Sequence, residues 1–105
     1  MDQRSRKLGI LLSVAPDHPN FNHGLQLAAA ALNAHDEVYL FCLDEAVRGV
    51  ADQRVQTLKG YGLRLFACSF AAQRRQIPQN DDALYGGLTM LSDMMATSDR
   101  LVSFN

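Results

Sequence analysis

Hydrophobic and polar residues alternate along this chain in blocks. Lys7 to Val14, KLGILLSV, is a near-continuous apolar run, as expected of a strand buried on both faces. The two prolines of APDHPN break the run. Asn20 or Asn22 is then placed to cap a helix that runs to about Ala34. Leu25, Ala28, Ala29 and Leu32 recur at helical spacing within it, and the alanines allow close packing on a sheet. Glu37 to Leu43, EVYLFCL, predicts a second buried strand. Val47, Ala51, Val55 and Leu58 form an apolar stripe on a short helical region, broken around Gly60 and Gly62. Leu63 to Cys68, LRLFAC, is the third predicted strand. SFAAQRRQI predicts a turn or two of helix, stopped by Pro78. The polar QNDDALYGG leaves room for one short strand near Ala83 to Tyr85. Leu88, Leu91, Met94 and Met95 mark the apolar face of a last helix, and Arg100 to Phe104, RLVSF, closes as a strand.

Strands that alternate with helices, and are themselves apolar, predict a sheet covered on both faces. The expected fold is α/β, a three-layer α/β/α sandwich with a mainly parallel sheet of four to five strands. The chain has 105 residues, which fits one domain over 1–105, with 1–6 as a loose polar tail. In such sheets, ligands and reactive groups sit beyond the carboxyl ends of the strands. Cys68, the loop Ala15 to Asn22 and the residues after Leu43 all fall at that edge.

Composition narrows the function classes. A net charge of −1 gives no electrostatic case for nucleic-acid binding. The longest apolar stretches, GILLSVA and LQLAAAAL, are far short of a membrane span. The polar MDQRSRK is not followed by the long apolar core of a signal peptide, so a cytoplasmic location is expected. Two cysteines, Cys42 and Cys68, make neither a disulfide framework nor a zinc site, and a reducing compartment leaves both as thiols. His18, His23 and His35 lack metal-ligand spacing, so no metal is expected, and no organic cofactor is expected either. The phosphate-cradling G-x-x-x-x-G-K-[ST], G-x-G-x-x-G, C-x-x-C and a nucleophile elbow are all missing.

Cys68 is the strongest candidate for chemistry. With a helix starting at Ser69, free backbone N–H groups would point at its sulfur and favour the thiolate, which is the reactive species. Arg74 and Arg75 add positive charge one to two turns further on. Arg75 falls about two turns past Cys68, roughly 10 Å by the helical rise. Charges that far apart are largely screened, so the arginines should act more on encounter with an anionic partner than on the thiol itself. The alternative is a small, inert, buried cysteine at a strand end. Cys42 lies inside an apolar strand and reads as core, with a resolving-cysteine role as the lesser option. His18, Asn22 and His23 line the loop at the active edge, where structural or solvent-exposed roles also fit the two histidines. Asp81 and Asp82 read as a solvated loop pair. Met90, Met94 and Met95 read as core or subunit interface.

The segment LRLFACSFAAQRR, with its apolar strand, Cys68, Ala71–Ala72 and Arg74–Arg75, resembles the DsrE/TusD (DsrE/DsrF) family of small sulfur-transfer proteins. KLGILLSVAP is similar to that family's first strand and proline turn, and GLQLAAAALNAHDEVYLFCLDEAV to its first helix and second strand. YGGLTMLSDMMATSDRLVSF is similar to its glycine turn, last helix and closing strand. The likeness covers nearly the whole chain. It implies that Cys68 accepts sulfur as a persulfide and passes it on; Ser69, Arg74 and Arg75 are the supporting candidates by their place beside the thiol. It also implies a homo- or hetero-oligomer, trimer or hexamer, of DsrE-like chains, with sulfur donor and acceptor proteins as partners. Two other functions fit the same fold: a non-catalytic interaction subunit with an inert Cys68, and a small-ligand-binding domain.

Overall fold

The computed structural model describes residues 6–105. Its strands are β1 (Lys7–Leu12), β2 (Glu37–Cys42), β3 (Arg64–Cys68), β4 (Leu84–Gly86) and β5 (Arg100–Phe104). They form one five-stranded sheet in the order β4-β3-β2-β1-β5, every neighbouring pair parallel. The helices are α1 (Pro19–Asn33), α2 (Gln53–Gly60), α3 (Ser69–Arg74) and α4 (Leu88–Thr97), with a 3-10 segment at Asp44–Gly49 before α2. The expected α/β fold with a parallel sheet is the one observed.

The expected N-terminal tail falls mostly on residues 1–5, outside the described residues. Arg6 departs from that expectation, because its carbonyl accepts the Glu37 N–H at 2.8 Å and so extends the β1–β2 pairing.

Side chains in a strand alternate between faces, and the register carries that alternation across the sheet. Leu8, Ile10 and Leu12 of β1 share one face with Val38, Leu40 and Cys42 of β2 and with Leu65 and Ala67 of β3. All eight belong to the buried core, together with Phe21, Leu25 and Ala28 of α1 and Val55 of α2. The other face carries Gly9 and Leu11, Tyr39 and Phe41, and Phe66 and Cys68. Here Tyr39 and Phe66 stack at 5.9 Å between ring centroids, and Phe41 and Phe66 at 6.2 Å.

The helices divide unequally between these faces. Successive crossovers from β1 to β4 move one way across the sheet. A crossover of fixed hand that moves one way lays its connection on one face. The step from β4 to β5 returns across the whole sheet, so α4 packs on the opposite face. One ten-residue helix covers that face and leaves a groove of about 680 Å³ lined by Lys7, Tyr39, Phe66, Met90 and Met94.

Several local expectations need correction. His18, not Asn20 or Asn22, caps α1: its Nδ1 accepts the Asn20 N–H at 3.0 Å, with Pro19 at the first turn. An imidazole nitrogen with a free lone pair does the work of the more usual oxygen cap. On α1 the buried positions are Phe21, Gly24, Leu25, Ala28 and Ala31, while Ala29 is exposed. The single helical stripe from Val47 to Leu58 is divided, and Ala51 is exposed at the break. Asp52 starts α2 afresh by accepting the Arg54 N–H at 2.9 Å. Of the expected apolar face of α4, Leu88 and Met95 are exposed, while Met94 is core as expected, with its Cε 3.4 Å from where a side chain on Gly9 would begin.

Gly49 is required for packing. A Cβ there would stand 2.7 Å from Cε2 of the fully buried Phe21 and closer still to Cζ. Gly49→Ala should therefore destabilise the domain by about 1–3 kcal/mol through overpacking. Gly60→Ala makes the matched control, because nothing lies within 4 Å of a Cβ at that site. It should be neutral or stabilise by up to about 1 kcal/mol. Urea denaturation midpoints compare the two, and equal midpoints would refute the close-contact account.

Candidate functional site

Cys68 is the last residue of β3 and the N-cap of α3. Its backbone is extended, with φ −71° and ψ 115°, so the sulfur turns toward the first turn of the helix. Sγ accepts the Ala71 N–H at 3.4 Å, the bond that a serine or aspartate oxygen would accept at an ordinary N-cap. α3 itself is held by Ala71 and Ala72, which are buried, while Phe70, Gln73 and Arg74 face out. Cys68 is partly exposed and Cys42 fully buried, so the two thiols differ in access by their place in the fold. Burial pushes the Cys42 thiol up to about 12, which keeps it protonated and unreactive. That placement gives the core reading of Cys42.

The two arginines after Cys68 play different parts. Arg74 is exposed, with its guanidinium carbon 5.6 Å from the centroid of the equally exposed Phe70 ring. Arg75 folds back against the 3-10 segment. Its Nε donates to Glu45 Oε2 at 2.6 Å, its Nη2 to Asp44 Oδ1, and its Nη1 to the Ala71 carbonyl at 3.2 Å. Arg48 adds a second cation on Glu45 at 2.7 Å. Hydrogen bonds from Arg75, then from Arg48, hold the Glu45 carboxyl below the ordinary carboxylate range. The positive charge expected beside the thiol is thus largely met by carboxylates in the case of Arg75, and only Arg74 is offered outward.

Ser69 does not bond Cys68. Its Oγ donates to Gln79 Oε1 at 2.9 Å, and Gln79 Nε2 donates to its carbonyl at 3.0 Å, which ties α3 to the loop before β4. The loop Ala15 to Asn22 does share the carboxyl edge with Cys68, since β1 and β3 are parallel. It stands two strands away, about 10 Å by the usual strand spacing. Its polar groups are engaged elsewhere. His23 Nδ1 pairs with Asn20 Oδ1 at 3.0 Å, Asn22 Oδ1 accepts from Arg54 at 3.5 Å, and Asn20 Nδ2 donates to the Asn105 carbonyl at 2.8 Å. Among the described residues no hydrogen bond joins His18, Asn22 or His23 to Cys68.

The order in which strands are added to the sheet reverses between β1 and β5, the kind of crevice where open parallel sheets commonly take ligands. Ser13 Oγ donates to Asn105 Oδ1 at 2.9 Å and the Ser13 N–H to the Phe104 carbonyl at 3.2 Å, so that crevice is bridged. The residues that sequence patterns missed are Asp44 and Glu45. Two acids directly after a strand, at the same edge as two arginines, were the available signal.

Among the described residues no His, Cys, Asp and Glu cluster could hold a metal ion, and no helix is long and apolar enough to cross a membrane. The fold and the strand-end thiol define a class of small three-layer α/β proteins with a cysteine at the sheet's carboxyl edge. The DsrE/DsrF-like family model matches residues 6–104, and the chain belongs to that family. Members of the family generally form oligomers. Among solved structures, YchN from E. coli is similar with a TM-score of 0.82 and 20% identity, over 94% of this chain and 99% of that one. A conserved protein of unknown function from Bacteroides thetaiotaomicron is similar with a TM-score of 0.76 and 17% identity, over 93% of this chain and 94% of that one. At these identities the two likenesses concern the fold. Among curated proteins none matches.

The contrast between the thiols is directly measurable. In the native protein at neutral pH, iodoacetamide should modify Cys68 and leave Cys42 intact. After unfolding in denaturant both should react. Mass spectrometry of the tryptic peptides reads the two sites separately, and equal native protection of both would sink the assignment of Cys68 as the accessible thiol.

Proposed function

We propose that the chain is a sulfur carrier acting through Cys68. The observation that carries this reading is the Cys68 sulfur at the end of β3, partly exposed and hydrogen-bonded by the Ala71 N–H. Family membership supports it at the level of a sulfur-relay role.

The chemistry is thiol exchange. The Cys68 thiolate attacks the outer sulfur of a donor persulfide. The donor's S–S bond breaks, its inner sulfur leaves as a thiolate, and Cys68 becomes the persulfide. An acceptor thiolate then attacks that outer sulfur and Cys68 leaves as a thiolate. Two-electron nucleophilic steps of this kind need no net oxidant or reductant, and their rates depend on access and on thiolate fraction. Phe70 and Arg74, exposed together just past Cys68, offer an aromatic and cationic surface to an anionic donor or acceptor.

Glutathione persulfide, a small anionic donor, tests the reading. The native protein should gain the mass of one sulfur atom on the Cys68 peptide, and Cys68→Ser should gain none. Arg74→Gln should slow uptake at low salt while iodoacetamide labelling stays unchanged, because steering acts on encounter with an anion. No sulfur on Cys68 in the wild-type chain would leave the non-catalytic subunit as the better reading.

We also propose that the chain works as an oligomer, a trimer or hexamer of DsrE-like chains. Phe70 is 65% exposed, Leu84 62% and Leu88 83%, and the last two flank the lightly covered sheet face. A domain this small gains from burying such surface. Sedimentation should report a mass several times the 11.6 kDa of one chain, and a concentration-independent 11.6 kDa species would refute self-assembly.

A further inference from the structure

We infer that Arg75 is a positioning residue for the Cys68 thiol: anchored on Asp44 and Glu45, its guanidinium holds the helical turn whose amide bonds the sulfur. This rests on Cys68 being the reacting residue. Two bonds meet at one residue. The Ala71 N–H donates to Cys68 Sγ, and the Ala71 carbonyl accepts from Arg75 Nη1. The same guanidinium donates through Nε to Glu45 and through Nη2 to Asp44, both in the segment that follows β2. The Arg75 side chain is only 18% exposed.

The helix needs such an anchor. α3 has six residues, so most of its N–H and C=O groups belong to its ends and it cannot hold itself. Burial of Ala71 and Ala72 fixes how close it sits to the sheet. Methyl groups give little control over rotation about its own axis. The Ser69–Gln79 pair holds the start of the turn, and the Arg75 fork fixes Ala71 itself, tying it to a segment on the other side of the helix. The chain turns at Asp44 with φ 50°, a left-handed conformation that aspartate tolerates, and two successive carboxylates then meet one guanidinium. A planar fork can hold two carboxylates and a carbonyl at once, whereas an ammonium is a point charge.

A simple field effect makes a different prediction. If Arg75 acted by its charge, removing it would disfavour the thiolate and removing Asp44 and Glu45 charges would favour it. If it acts by holding Ala71, both changes release the turn and act in the same direction. Iodoacetamide labelling of Cys68 at neutral pH therefore separates the two. The variants are Arg75→Gln, Arg75→Lys and the double change Asp44→Asn with Glu45→Gln. Each should slow labelling by roughly two- to four-fold, the net worth of one hydrogen bond to the sulfur after allowing for the higher intrinsic nucleophilicity of the less stabilised thiolate. The Ala71 amide proton should lose its hydrogen-bonded NMR shift in the same three variants.

Cys42 is the internal control, since its labelling reports opening of the core. Should Arg75→Gln expose Cys42, the single change Glu45→Gln, which keeps Asp44 and the buried alanines, is read by the same criterion. Opposite effects of the arginine and carboxylate changes, full labelling in Arg75→Lys, or an unmoved Ala71 amide would each overturn the inference. Labelling requires no sulfur donor. Failed persulfide uptake with this labelling pattern intact would sink the sulfur-carrier reading alone, and normal uptake with labelling indifferent to Arg75 would sink this inference alone.

Discussion

Handedness of the parallel crossovers governs this molecule. A strand with right-handed twist, followed by a right-handed helix, returns to the sheet in one sense only. Three crossovers that step the same way from β1 to β4 must stack their connections on one face. The fourth steps back from β4 to β5 and must take the other face. The thick layer of α1, the 3-10 segment and α2, against the thin cover of α4, follows from that single rule. So does the aromatic stack of Tyr39, Phe41 and Phe66 on the thinly covered side, where large flat side chains fill space that no second helix fills.

The same rule sets the chemistry. All five strands point one way, so every strand ends at the same edge. The ends of β2 and β3 are neighbours there, which brings Asp44 and Glu45 beside the turn that follows Cys68. Residues 31 and 30 positions apart in sequence thus meet in one ion cluster with Arg75. Exposed ion pairs contribute little to stability as a rule. Here the geometry matters more than the energy, because the guanidinium also grips Ala71, the residue that donates to the cysteine sulfur. Cys42 ends β2 as Cys68 ends β3, but the register sets it opposite Ala67 on the core face, and that one-residue offset buries it.

Much of this was legible in the chain itself. The apolar runs KLGILL, EVYLFC and LRLFAC mark strands because a strand covered on both faces must be apolar at successive positions. Their alternation with helices specifies a parallel sheet, and Cys68 falls at a strand end by counting alone. The order of motifs indicates the DsrE-like family. Boundaries were less secure, as the break at Ala51 and the cap at His18 illustrate, since both depend on local hydrogen bonds and not on periodicity.

Sequence could not assign partners. Arg74 and Arg75 are adjacent and chemically identical, yet one lies over Phe70 in solvent and the other is bound by two carboxylates. Adjacent residues on a helix point about 100° apart. Which of them meets Asp44 and Glu45 depends on where β2 ends relative to β3, and that is a property of sheet register. The division of the helices between two faces was likewise hidden until the strand order was known. Periodicity specifies which residues are apolar and when the chain turns. Only the closed sheet decides which turns are neighbours.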